Sequence, residues 1–140
     1  MDQQYIDFIV RHYMLVSLLV ALLVAFVATE LQRAGKAVSP QGLTALINGA
    51  NALVLDVRDA AEFRQGHITG SQSLPFAKVA ERIDELKKDP ARPIVVVCNI
   101  GQVAGNVTQQ LKAAGLSNVY KLDGGISNWK SQSLPLIKGS

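Results

Sequence analysis

The chain has 140 residues, a hydrophobic fraction of 49%, a formal net charge of +3 and a single cysteine, Cys98. This length allows one domain with a short appendage, and one cysteine excludes an internal disulfide framework. Beyond residue 36 charges of both signs are interspersed, which argues against nucleic acid as a partner. The histidines and acidic residues lack metal-ligand spacing, so neither a metal ion nor a cofactor is expected.

The N-terminal segment is the most apolar part of the chain. Between Arg11 and Glu30 no residue carries a full charge if His12 is neutral, which leaves a stretch of 18 residues. As a helix this stretch is about 27 Å long, close to the minimum that crosses the hydrocarbon core of a bilayer. It also lacks the polar face of a soluble helix. We expect residues 1–30 to form a membrane anchor that spans at about residues 12–29.

A cleaved signal peptide is the alternative for this segment. Such a peptide has a basic start and small residues at its cleavage site. Here Asp2 and Asp7 precede the apolar stretch, and a cut after Ala28 would put the bulky Phe26 near the break. The pattern therefore favours a retained anchor, and residues 31–37 are expected to be a juxtamembrane linker.

The charges that flank the apolar stretch bear on its orientation. Arg33 and Lys36 follow it, whereas Arg11 precedes it. By the positive-inside rule this distribution favours a single-pass protein of the inner (plasma) membrane whose soluble domain faces the cytoplasm. A free thiol agrees with a reducing compartment.

Residues 38–140 are expected to form one domain of alternating helices and strands. Ser39 and Pro40 are typical of an N-cap followed by proline at the first helical position. The helices are predicted from Pro40 to near Gly49, over 60–65, 79–88 and 103–114, and around Trp129. The strands are predicted over 52–57, 73–75, 94–98 and 118–122. This alternation indicates a parallel sheet covered on both faces by helices.

Cys98 lies where an apolar strand turns into a helix N-terminus. Unpaired backbone N–H groups and the helix dipole favour an ionised sulfur at such a position, as a nucleophile requires. Asp56 and Arg58 follow another strand, and 123–125 follow a third. Because sites in parallel sheets form beyond the carboxyl ends of the strands, we expect these segments to converge. The alternative is a free cysteine that packs as a small hydrophobic side chain.

Together these residues resemble the rhodanese-like family over 38–138. The motifs that carry the resemblance are Leu55-Asp56-Val57-Arg58, Glu62-Phe63, Gly66-His67-Ile68 with Gly70, Leu74-Pro75, Val95-Val96-Val97-Cys98, and Leu122-Asp123-Gly124-Gly125 with Trp129. The resemblance implies an α/β fold with a five-stranded parallel sheet flanked by helices. With its N-terminal anchor, the chain is also similar to small inner-membrane bacterial members of the family.

The family resemblance also implies a reaction. Cys98 would accept sulfur from a donor such as thiosulfate, become a persulfide and pass the sulfur to a thiol acceptor. The loop that would bind the anionic sulfur consists of Asn99, Ile100, Gly101, Gln102 and Val103. Asp56 and Arg58 are expected to support this loop or the end of the sheet, and direct contact with the site is the alternative.

Two loop residues depart from the family pattern. The position that commonly holds serine or threonine is Ile100, and the position that commonly holds arginine is Val103. Loss of a charge-assisted contact costs about 1.5–3 kcal/mol, so weak activity with thiosulfate is expected. Two functions therefore remain open. One is sulfur transfer through Cys98, and the other is a largely non-catalytic interaction module for a membrane-protein partner.

Overall fold

The computed structural model describes residues 2–33 and 36–139 of the chain. They fall into two compact units that divide after Arg33. Within the predicted linker, residues 34–35 lie outside the described residues.

The N-terminal unit consists of two helices, α1 (Gln3–Arg11) and α2 (Tyr13–Arg33). The break between them lies at His12, whose backbone N–H still donates to the carbonyl of Phe8. From Tyr13 to Glu30, α2 is long and apolar enough to cross a membrane, and no residue of that stretch is buried. This stretch overlaps the predicted span of residues 12–29.

The second unit alternates strands and helices in chain order. Its elements are β1 (Lys36–Val38), α3 (Pro40–Ala50), β2 (Leu53–Asp56), α4 (Ala60–Gln65), β3 (Gln72–Ser73), α5 (Val79–Leu86), β4 (Ile94–Val97), α6 (Gln102–Ala113), β5 (Val119–Leu122) and α7 (Gly125–Ser131). A single 3₁₀ turn over Phe76–Lys78 leads into α5.

The strands form one parallel sheet in the order β1-β5-β4-β2-β3. The predicted five-stranded parallel sheet is therefore confirmed. In β2 and β4 every residue is buried, as expected for strands that are covered on both faces. The pairing of Asp56 with Val97 aligns the carboxyl ends of these two strands.

Alternate residues of β4 pack into two separate cores. Ile94, Val96 and Cys98 face a core that includes α5 and α6, and Val95 and Val97 face one that includes α3 and α7. This alternation follows from the two-residue period of a strand. It points the Cys98 side chain toward the same face of the sheet as α6.

Local capping explains where α3 begins and ends. The side chain of Ser39 accepts a hydrogen bond from the backbone N–H of Gly42 at 3.0 Å, and proline occupies the first turn. The helix ends at Ala50, one residue beyond the predicted stop at Gly49. Asn51 adopts the left-handed conformation there, which asparagine tolerates better than most residues.

Candidate active site

The candidate site lies beyond the carboxyl ends of β2, β4 and β5. The structure brings the three predicted segments together there. Arg58 and Cys98 line the same pocket, and the start of α7 contacts the backbone that follows Cys98. Parallel strands produce this convergence because their carboxyl ends share one edge of the sheet.

The sulfur of Cys98 accepts hydrogen bonds from two backbone N–H groups. The donor of Gly101 lies 2.9 Å from Sγ and that of Ala104 lies 3.4 Å from it. Gly101 can present its N–H in this way because it has a φ of +100°, which residues with a side chain rarely adopt. Ala104 belongs to the first turn of α6, where backbone N–H groups lack helical partners. The two amides therefore direct positive partial charge at one sulfur atom.

Cys98 is otherwise enclosed by protein. Its exposed fraction is 3%, and the thiol is free. The same residue nevertheless lines an open pocket of about 440 Å³. Cys98 thus lies in the wall of an accessible cavity, and its sulfur accepts two hydrogen bonds from the main chain.

The start of α7 is hydrogen-bonded to Cys98 and to the loop of residues 99–103, here called the active loop. The N–H groups of Ile126 and Ser127 donate to the carbonyl oxygens of Cys98 and Asn99 at 2.9 and 3.0 Å. Gly125 has a φ of +62°, and a Cβ there would lie only 2.3 Å from the carbonyl oxygen of Cys98. Only glycine allows this approach, which explains why the chain turns through two glycines after β5.

The side chain of Asn99 fixes the loop from another side. Its amide Nδ2 donates to Oε2 of Glu62 at 2.7 Å. Glu62 lies on α4 and also lines the pocket. The carboxylate of Glu62 is therefore paired with the side-chain amide of Asn99.

Asp56 and Arg58 form a buried ion pair beside the pocket. The guanidinium Nη2 donates to Asp56 at 2.7 Å and to the carbonyl of Gly66 at 2.7 Å, while Nε donates to Asp56 at 2.9 Å. The exposed fractions are 1% for Asp56 and 7% for Arg58. These contacts tie the end of β2 to the end of α4, so the pair holds the pocket wall in place.

The other residues of the predicted loop contribute side chains to the pocket wall. Ile100, Gln102 and Val103 line the pocket with Cys98. The exposed fractions of Ile100 and Val103 are 61% and 39%. Two apolar side chains therefore border the pocket at the positions where the family pattern has a hydroxyl group and an arginine.

Sequence reasoning missed several contributors to the site, among them Glu62, which lines the pocket. Ala104 donates to the sulfur from one residue beyond the predicted loop, through a backbone group that leaves no mark in the sequence. Phe76 and Asp59 line the pocket because the fold brings the 3₁₀ turn and the start of α4 against the loop. Within residues 2–33 and 36–139, no cluster of three or more histidine, cysteine or acidic side chains could hold a metal ion.

Comparison with known proteins agrees with this architecture. A sequence model of the rhodanese-like domain matches residues 39–132. The chain is 35% identical to YibN of Escherichia coli K12, over 98% of this chain and 99% of that protein. It is 38% identical to the thiosulfate sulfurtransferase GlpE of Pseudomonas entomophila, over 69% of this chain and 85% of that protein.

Solved structures give the same result. A rhodanese-related protein from Thermoplasma volcanium superposes with a TM-score of 0.67 at 26% identity, covering 74% of this chain and 99% of that one. A thiosulfate sulfurtransferase from Pseudomonas aeruginosa gives a TM-score of 0.72 at 29% identity, covering 79% of this chain and 22% of that one. The family match and the thiosulfate sulfurtransferase relatives support a sulfurtransferase type of function. The chain belongs to the rhodanese-like family.

Proposed function

We propose that this protein is a membrane-tethered sulfurtransferase that carries sulfur as a persulfide on Cys98 and has weak activity with thiosulfate. The observation that carries the proposal is the pair of N–H donors, from Gly101 and Ala104, on the sulfur of Cys98. Family membership and the sulfurtransferase relatives support the reaction type.

The proposed reaction uses the sulfur as a nucleophile. The Cys98 thiolate attacks the outer sulfur of a sulfur donor, a new S–S bond forms, and the donor leaves with the bonding electron pair. A thiol acceptor then attacks the outer sulfur of the persulfide and releases Cys98 as a thiolate. Both forms of the enzyme carry negative charge on sulfur, which directed backbone N–H groups stabilise.

Weak activity with thiosulfate follows from the side chains of the loop. Val103 supplies no charge at the pocket, and the guanidinium of Arg58 is engaged by Asp56 and Gly66. A dianionic donor therefore lacks a charge-assisted partner among the described residues that line the pocket.

Intact mass spectrometry tests this proposal. The full chain in detergent is incubated with thiosulfate and with an organic persulfide, and its mass is compared with that of Cys98→Ser. We expect a mass increase of one sulfur atom in the wild-type chain that is absent from the variant. Failure of every donor to load the wild-type chain would refute sulfur transfer, and so would equal loading of the variant.

The tether proposal rests on α2. An apolar stretch from Tyr13 to Glu30 would contact lipid along its length, and the flanking Arg33 and Lys36 favour a domain in the cytoplasm. Protease treatment of inverted inner-membrane vesicles should then digest the domain, while treatment of intact spheroplasts should not. Digestion in spheroplasts would contradict this orientation, and recovery of the chain in the soluble fraction would contradict the tether.

A second candidate function is an interaction module for a membrane-protein partner. The exposure of Ile100 and Val103 favours it, because these apolar side chains replace polar residues of the family loop. If no donor loads Cys98, and a membrane protein co-purifies with the full chain but not with Ile100→Ser, this second function replaces the first.

A further inference from the structure

The charge of the candidate pocket differs from what an anionic substrate needs. Its charged lining residues, within the part of the chain that the structure describes, are Arg58, Asp59 and Glu62. The charge of Arg58 is balanced by Asp56, which it contacts through two nitrogens. The two remaining carboxylates give the lining a negative formal charge.

One further cation near the active loop, Lys121, lines a different pocket. Lys121 lies on β5 and lines this neighbouring pocket together with Gly105 and Asp123. Its ammonium lies near the point where a Cβ of Gly105 would be, at 3.9 Å. It is therefore not among the residues that line the pocket of Cys98.

Three exposed apolar side chains also line the pocket. Phe76, Ile100 and Val103 line it with exposed fractions of 48%, 61% and 39%. An organic group would bury this surface on binding, whereas a small inorganic anion would gain nothing from it. Charge and apolar surface therefore favour the same class of molecule.

We propose that Cys98 exchanges sulfur with organic thiols and persulfides that carry no negative charge next to the sulfur, and that Asp59 and Glu62 set this preference. The inference rests on the proposed function, because it names the substrate class of the same site.

In the loading step the Cys98 thiolate attacks the outer sulfur of R–S–SH. The S–S bond of the donor breaks, R–S⁻ leaves, and Cys98 keeps the sulfur as a persulfide. In the transfer step an acceptor thiolate attacks that outer sulfur, and Cys98 leaves as a thiolate. No oxidant or reductant is needed.

The test uses three small thiols of similar size and different charge as acceptors. They are cysteamine, which is cationic, 2-mercaptoethanol, which is neutral, and 3-mercaptopropionate, which is anionic. The full chain in detergent is first loaded with the neutral persulfide of 2-mercaptoethanol, and the excess donor is removed. The loss of one sulfur atom is then followed by intact mass spectrometry. Each rate is expressed as the ratio of variant to wild type, so that the intrinsic reactivity of each thiol cancels.

Asp59→Asn and Glu62→Gln are the informative variants. Each removes one negative charge, and glutamine retains an oxygen that can accept from Asn99. We expect each variant to raise the rate with 3-mercaptopropionate about fivefold relative to 2-mercaptoethanol, and to lower the relative rate with cysteamine. The effect should shrink in high salt, because salt screens the interaction of exposed charges. A purely structural role of these residues would not depend on the charge of the acceptor.

Asp89→Asn is the matched control. It removes a carboxylate from the turn before β4, at the end of the sheet opposite Cys98, and should leave all three ratios near one. Equal ratios for the three acceptors in Asp59→Asn and Glu62→Gln would overturn the inference while leaving sulfur transfer intact. Failure of both thiosulfate and the neutral persulfide to load the chain would overturn both the inference and the proposed function.

Discussion

The loops after β2 and β4 are neighbours at one edge of the sheet, yet they use their polar groups differently. After β2, Asp56 and Arg58 bind each other, and the guanidinium also binds the carbonyl of Gly66. After β4, the polar groups that matter belong to the main chain, and the N–H groups of Gly101 and Ala104 point at one sulfur. In the first loop the charges of Asp56 and Arg58 hold the fold, whereas in the second loop main-chain donors bind the sulfur of Cys98. Burial of polar residues near a site therefore does not by itself indicate a catalytic role.

The largest loss of stability is expected when the ion pair between Asp56 and Arg58 is broken. Arg58→Leu leaves the carboxylate of Asp56 buried without its charged partner, and such a loss costs about 3–5 kcal/mol. Urea unfolding followed by the fluorescence of Trp129, the single tryptophan of the chain and a buried one, measures the change in the free energy of unfolding.

Arg82→Leu is the control for the ion pair. It breaks the pair between Arg82 and Glu85, whose side chains have exposed fractions of 36% and 58%, and should cost less than about 1 kcal/mol. Equal costs for the two variants would contradict the structural role of Arg58.

The next effect concerns the contact between α7 and the active loop. Gly125→Ala places a Cβ against the carbonyls of Cys98 and Asn99. We expect a loss of about 2–5 kcal/mol, from about 1–2 for the left-handed backbone and about 1–3 for the overlap. The same urea titration measures it.

Two other glycines separate the causes of this loss. Gly115 has a φ of +105° with nothing within 4 Å of a Cβ, so Gly115→Ala should show only the backbone cost. Gly49 is helical and open, so Gly49→Ala should be neutral or stabilise by about 0.5–1 kcal/mol. A Gly125→Ala variant as stable as Gly115→Ala would refute the close approach of α7.

A third prediction adds the charge that the loop after β4 lacks. Val103→Arg places a guanidinium at the mouth of the Cys98 pocket and should raise sulfur transfer from thiosulfate about tenfold to 150-fold, since a charge-assisted hydrogen bond contributes about 1.5–3 kcal/mol. Val103→Gln has no charge and should give a much smaller gain. A thiosulfate:cyanide assay of both variants measures the difference, and equal rates would contradict the role of charge.

The sequence predicted the elements that are long, apolar and capped. The apolar run from Ile94 to Val97 predicted a buried strand and Ser39 with Pro40 predicted the start of α3, and both are observed. The sequence pattern does not predict β1, and the first two residues of this strand fall within the predicted linker. Lys36 and Ala37 are exposed and show no strand pattern, and only the pairing of β1 with β5 makes them a strand.

The candidate site was predictable to the same extent. Cys98 and Gly101 stand out by residue type and position. The donor of Ala104 is a main-chain group, and the role of Gly125 depends on a contact with residues far away in sequence. The negative lining of the pocket arises because the fold brings α4 against the active loop, which the local sequence pattern does not reveal.

The most direct test of the central claim compares Gly101→Ala with Gly115→Ala in the rate at which an organic persulfide adds one sulfur atom to Cys98. Both glycines have a φ near +100°, but only the N–H of Gly101 donates to the sulfur. If directed main-chain donors stabilise the charged sulfur, Gly101→Ala will load about tenfold to 150-fold more slowly than the wild-type chain, and Gly115→Ala will load at the wild-type rate. Equal rates in the two variants would contradict the account.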